Sequence, residues 1–217
     1  MARSRAVARV HAESVAVVTH AANSPTYRRM KRSLNVGDEP GKFRDSPGVT
    51  TGWLRSVECA NLLSATAMLF QCPPSFGPDL DNVRRMRQFF ERIVRPRARL
   101  LWEPRGSRWI ARRSLVLSLC RDLDVVQVLD PFVTRPEPRR PVYWRLHGIG
   151  SARHSYSDVE LQKLHRMLVD AEPIGNAYVM FNNLPRVRDA KRFLTLLHGV
   201  SAPHGARLSA PPWRKAK

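Results

Sequence analysis

Short apolar runs alternate along this chain with longer stretches in which apolar residues recur every three or four positions. That rhythm predicts parallel β-strands covered by helices, the α/β class. The predicted strands are residues 5–11 (with 14–19 as an alternative placement), 65–72, 97–103, 124–130, 142–147 and 176–182. ATAMLF at 65–70, DVVQVL at 124–129 and AYVMF at 177–181 are nearly continuous apolar runs, the pattern of strands covered on both faces. Between them lie segments of helical period. Ser24 and Pro25 can open one, with serine as cap and proline in the first turn. Trp53, Val57, Ala60 and Leu63 line the face of a second. Asp81 precedes a third that carries Val83, Met86, Phe89, Phe90 and Ile93. Ser157 and Glu160 form an S-x-x-E capping box ahead of Leu161, Leu164 and Leu168. The last helix runs from about Val187 to His198.

One connection breaks the rhythm. PFVTRPEPRRP, after Asp130, holds four prolines and leaves no room for a covering helix, so a stiff, extended rim loop is predicted there. No repeat of fixed period is visible. After residue 198 the periodicity stops, and GVSAPHGARLSAPPWRKAK reads as a basic, disordered tail. The expected organisation is one domain over residues 1–198 followed by a tail over 199–217.

Composition narrows the partners rather than the fold. With 217 residues and 43% hydrophobic content the chain can bury one core. Lys and Arg number 37 against 18 Asp and Glu, a formal net charge of +19, which biases the surface toward polyanions. Nucleic acid, bound without sequence preference through the arginine-rich surface, is therefore one expected partner. No apolar run is long enough for a membrane span. Three cysteines, none in a C-x-x-C, argue against a disulfide scaffold or a cysteine-rich zinc site and favour a reducing, cytoplasmic setting.

Candidate chemistry collects where the predicted strands end. These ends carry Gln71, Glu103 followed by Arg105, Asp130, Arg145 with His147, and Asn182 with Asn183. In a parallel α/β sheet the carboxyl ends of the strands open on one side, where active sites form. Arg145 and His147 share a parity and point to the same side of their strand. Prolines after Glu103 and Asp130 stop those strands and fix the direction of each carboxylate. Three readings stay open for this set. Glu103, Asp130 and His147 can carry acid/base chemistry. The same three can hold a divalent metal ion, although no H-x-H or HExxH spacing supports it. Glu103 can also simply pair with Arg145 and do no chemistry. Cys72 is a candidate nucleophile, but a small apolar filler is the better reading. GxGxxG, GxxxxGK[ST] and GxSxG motifs are absent.

An ordered set of segments resembles one family. SPTYRR (24–29), LFQCPPSF (69–76), NVRRMRQFFERIVRP (82–96), LLWEPRG (100–106), LDVVQVLDPF (123–132), YWRLHGIG (143–150), YSDVEL (156–161) and YVMFNN (178–183) together resemble the YecE-like family, domain of unknown function 72. The resemblance implies a TIM-barrel-like parallel (β/α) barrel, related loosely to sugar isomerases and endonuclease-type barrels. It also implies that Gln71, Glu103, Arg105, Asp130, Arg145, His147, Asn182 and Asn183 are the family's characteristic polar positions. Two features depart from the pattern. Nothing before Met1 supplies the family's opening G-x-S-G-W strand and second strand, and Glu13 stands near the place of a family lysine. Six strands are counted where a barrel needs eight, so an incomplete barrel with open sheet edges, prone to self-association, is expected.

The functional expectation follows. Glu103 or Asp130 is the acid/base carboxylate and His147 the second proton-transfer group. Arg105 and Arg145 hold an anionic group, while Gln71, Asn182 and Asn183 orient hydroxyls. The expected ligand is a sugar or phosphorylated small molecule, and the chemistry isomerase- or hydrolase-like.

Overall fold

A computed structural model of the chain describes residues 11–13, 16–29 and 39–199. The chain divides into two compact units, with the boundary between Leu129 and Asp130. In the first unit the order is β1 (His11–Glu13), α1 (Ala16–Thr19), a 3-10 turn (Pro25–Arg29), α2 (Pro47–Leu62), β2 (Ala67–Gln71), α3 (Leu80–Arg92), β3 (Arg99–Glu103), α4 (Ser107–Ile110), α5 (Arg113–Asp122) and β4 (Val126–Leu129). The second contains β5 (Tyr143–Leu146), α6 (Asp158–Asp170), β6 (Tyr178–Phe181) and α7 (Arg186–Gly199). Strands β1 to β4 pair in sequence order and in parallel, and β5 pairs in parallel with β6. Six parallel strands alternating with helices make this an α/β incomplete barrel, as expected from the sequence.

The first unit owes its core to aromatic residues held at helical spacing. Asp79 caps α3 by accepting a hydrogen bond from the Asn82 N–H at 3.0 Å, which sets the phase of the helix. Met86, Phe89 and Phe90 then fall on its buried face. Phe70 of β2 meets Phe90 edge-on at 5.1 Å and stacks on Trp53 of α2 at 5.4 Å. Sheet and two helices thus share one ring cluster, each buried aromatic worth roughly 2–3 kcal/mol of transfer free energy. In the second unit Tyr156 takes that part: fully buried, it stacks on Phe132 at 5.4 Å and meets Phe181 edge-on at 5.7 Å.

Several expectations need correction. The alternative strand at 14–19 is overturned, because Ala16–Thr19 is helical. The strand placed at 5–11 lies outside the described residues except for His11, which opens β1. Ser24 and Pro25 open a 3-10 turn, with the Thr26 N–H on the Ser24 Oγ at 3.3 Å. The cap of α3 is Asp79, two residues before Asp81. Helix α5 had no counterpart in the sequence reading. Its SLVLSLC stretch imitates strand alternation, and its first turn carries neither an acid nor a side-chain cap. The proline-rich connection is free of helix as expected, and two backbone bonds tie it down: Arg139 N–H to Ala171 C=O at 2.8 Å and Ile174 N–H to Arg140 C=O at 3.2 Å. The tail beyond residue 199 lies outside the described residues. Among the described residues no helix is long and apolar enough to cross a membrane.

Candidate functional site

In the first unit the polar residues gather at the carboxyl ends of β2 and β3. Gln71 and Glu103 close these strands and are register partners, so their side chains leave the sheet on the same face, about one strand spacing apart. Glu103 is buried, only 4% exposed. Arg105 follows across Pro104, with its Nε 3.9 Å from the Glu103 Oε1. That separation is an electrostatic contact rather than a hydrogen bond. The last ladder bond runs from the Cys72 N–H to the Glu103 carbonyl at 3.1 Å.

The opposite face of β2 and β3, which carries Phe70, Cys72 and Trp102, packs into the apolar core. Trp102 meets Trp109 edge-on at 5.0 Å, and the Trp109 indole N–H donates to the Phe76 carbonyl at 2.5 Å, joining the loops that follow β2 and β3. The Trp102 indole N–H donates to the Cys72 Sγ at 3.4 Å. Burial pushes the Cys72 thiol up to about 12, which leaves almost no thiolate at neutral pH. Cys72 is a core filler.

The second unit arranges its polar groups differently. Asp130 accepts the Phe132 N–H on Oδ1 and the His147 N–H on Oδ2, both at 3.0 Å. The next amide, Gly148 N–H, donates to the Tyr156 Oη at 3.0 Å. Two successive amides past the end of β5 are therefore pinned, and the backbone carrying the His147 side chain is fixed. Gly148 has φ of +91°, and a Cβ there would lie 2.2 Å from the Ser151 carbonyl oxygen, so only glycine makes this turn. Arg145 is buried at 8% exposed, while Leu146 between it and His147 packs into the core. Burial first, and the Asp130 charge second, push the Tyr156 phenol above its ordinary value.

Asn182 and Asn183 look alike in sequence and part company here. Asn182 is exposed. Asn183 is fully buried and donates to the His154 carbonyl at 2.9 Å and to the Asp189 Oδ2 at 2.7 Å. Asp189 escaped the sequence reading. Fully buried in the first turn of α7, it also accepts the Tyr156 N–H at 3.1 Å and the Ser155 hydroxyl at 3.0 Å. Burial works to raise its pKa, but these hydrogen bonds and the Arg188 charge outweigh it and hold the group below the ordinary carboxylate range. The one available signal was an acid in the first turn of an otherwise basic helix. Among the described residues no three His, Cys, Asp or Glu side chains group closely enough to hold a metal ion, so the metal reading finds no ligand set.

A family model described as protein of unknown function DUF72 matches residues 16–215. The chain belongs to the DUF72 family. Solved DUF72 structures share its fold. The chain is similar to a DUF72 family protein from Thermotoga maritima, 22% identical with a TM-score of 0.56, over 71% of this chain and 66% of that one. It is also similar to a DUF72 family protein from Enterococcus faecalis, 20% identical with a TM-score of 0.55, over 71% of this chain and 70% of that one. At these identities the likeness bears on the fold alone. The matched part spans just under two thirds of the Thermotoga protein's length. No match is found among curated proteins.

Proposed function

We propose that this DUF72 chain binds a small hydroxylated or anionic ligand, a sugar or phosphorylated small molecule, and performs isomerase- or hydrolase-like acid/base chemistry with Glu103 as the proton-carrying carboxylate. The observation behind the proposal is the burial of Glu103 at a strand end, in register with an amide (Gln71) and facing a half-exposed cation (Arg105). A carboxylate in such a place exchanges a proton with a ligand rather than with bulk water. Gln71 supplies hydrogen bonds to hydroxyls, and Arg105 a bidentate hold on a phosphate or carboxylate.

In this reading the two candidate carboxylates take different roles. Both oxygens of Asp130 accept backbone N–H groups, so Asp130 is a positioning residue for the segment that carries His147. Within the second unit, taken by itself, we keep His147, Arg145 and exposed Asn182 as candidate ligand-binding residues. Asn183 becomes a structural amide.

Thermal unfolding against a panel of sugars and sugar phosphates tests the reading. A ligand at about 100 times its Kd stabilises by about 2.7 kcal/mol. For a chain of this size that raises Tm by roughly 5–10 °C. Glu103→Gln is expected to keep binding and lose turnover of any such ligand by about 10²–10⁴-fold. A panel with no stabilising member, or full turnover by Glu103→Gln, defeats the proposal.

A further inference from the structure

We propose that the outward face of α7, where Val187 and Leu194 stand among Arg188 and Lys191, docks on an anionic lipid surface. This goes beyond the small-ligand reading and stands without it, because no residue of that reading lies on the helix.

The buried residues of α7 fix its two faces. Asp189 and Phe193, one turn apart, are turned into the second unit and are 0% and 3% exposed. Val187, Lys191 and Leu194 recur at intervals of four and three, which places them together on the other side of the helix. Exposure agrees with that placement. Val187 is 63% exposed, Leu194 38%, and Lys191 also faces solvent. Leu184, in the turn just before the helix, is 63% exposed as well. A helix face that meets only water carries polar residues at such positions.

Charge sets this face apart. Among the described residues every other helix of ten or more residues exposes an acid: Glu58 on α2, Asp81 and Glu91 on α3, Asp122 on α5, Asp158 and Asp170 on α6. The one acid of α7 is Asp189, fully buried and enclosed by hydrogen bonds. The helix nevertheless carries Arg186, Arg188, Lys191 and Arg192. Arg192 is matched by Asp158 at 2.5 Å, and Arg188, 63% exposed, lies 3.6 Å from Asp189. Arg186 and Lys191 are exposed and have no ion-pair partner among the described residues.

Aliphatic side chains set between cations match a membrane interface. The cations meet anionic headgroups, while Val187 and Leu194 enter the boundary between headgroups and acyl chains. Against the phosphates of a nucleic acid the same two side chains would gain nothing, since phosphate contacts are made by cations. At 14 residues α7 is too short to span a bilayer, so it lies along the surface.

Sedimentation of the full chain with phosphatidylcholine vesicles, with and without phosphatidylserine, tests this at physiological salt. Binding to the mixed vesicles is expected to be at least about 10-fold tighter than to phosphatidylcholine alone. R186Q/K191Q is expected to weaken it by about 10–30-fold, at about 5-fold per cation. V187S/L194S is expected to weaken it by about 10-fold. Thermal unfolding is expected to stay unchanged in both, because all four side chains are exposed. K163Q/R166Q and V159S/V169S make the same kinds of change on the exposed face of α6, and each is expected to have less than half the logarithmic effect of its α7 counterpart. The proposal is overturned if the parent chain does not bind the mixed vesicles, if V187S/L194S binds them as the parent does, or if the α6 variants lose as much as the α7 variants. Unchanged vesicle binding by V187S/L194S, together with weaker binding of a labelled oligonucleotide by R186Q/K191Q, would identify a nucleic-acid face instead.

Discussion

Two buried carboxylates, one in each unit, occupy different places in the fold. Asp189 is enclosed by donors: the Tyr156 amide, the Ser155 hydroxyl and the Asn183 amide group all point at it, with Arg192 at 3.4 Å. Those bonds tie the start of α7 to the segment before α6, and they hold the acid ionised. Glu103 is nearly as buried, yet it stands at the open end of its strand beside an amide and meets Arg105 at 3.9 Å. Burial of a charge alone therefore does not assign a role to either carboxylate. In the proposed reading, Asp189 holds loops together and Glu103 serves a ligand, and substitutions can separate the two roles.

The largest effect that sharpens this contrast is Asp189→Ala, which strands several buried donors at once. A loss of about 3–5 kcal/mol is expected by urea denaturation. A loss under about 1 kcal/mol would show that the donors find other partners and that the tie is dispensable. Next comes Gly148→Ala. Its backbone conformation and the 2.2 Å approach to the Ser151 carbonyl predict a loss above about 2 kcal/mol, against about 1 kcal/mol for Gly150→Ala, where φ is +74° but nothing lies within 4 Å. Equal losses would remove the argument that the β5 turn is built to aim His147. Tyr156→Phe keeps the ring packing and removes only the acceptor of the Gly148 amide. A loss of about 1–2 kcal/mol is expected, with faster hydrogen exchange at Gly148 than at the His147 amide held by Asp130.

The pH dependence has a definite sign. The folded pKa of Asp189 lies below its ordinary value, so its contribution is present above an unfolded pKa of about 3.9 and fades as pH falls through the lower folded value. Glu160 shifts the same way: burial tends to raise its pKa, but the Ser157 and His154 contacts win. Stability measured by urea at falling pH is expected to drop through the acid range, and Asp189→Asn is expected to flatten that drop. The smallest effect is chemical. At mildly alkaline pH exposed Cys59 is expected to react with a disulfide reagent, while Cys72 and Cys120, whose thiols burial pushes up to about 12, stay silent until the chain unfolds.

Much of this was legible in the residues. The Ser157–Glu160 box forms as written, with the Ser157 N–H on the Glu160 Oε2 at 2.7 Å. The strand ends found Gln71 and Glu103 because parallel strands with polar last residues align them in register. Helix α5 was hidden because SLVLSLC suits either period and lacks the capping residues that mark α6. The burial of Asn183 was legible in alternation: it shares the parity of buried Phe181, whereas Asn182 faces out. Asp189 was out of reach for a different reason. Tyr156 lies 33 residues before it, and no local pattern announces a bond made by packing two helices.

Glu103→Gln at neutral pH, followed by urea denaturation without any ligand, tests the central claim most directly. If Glu103 is held for chemistry, its neutral isostere, which keeps the shape of the side chain, unfolds within about 1 kcal/mol of the parent chain or is more stable than it. A loss of about 3 kcal/mol or more would make it the partner of a structural ion pair, as Asp189 is, and would contradict the account.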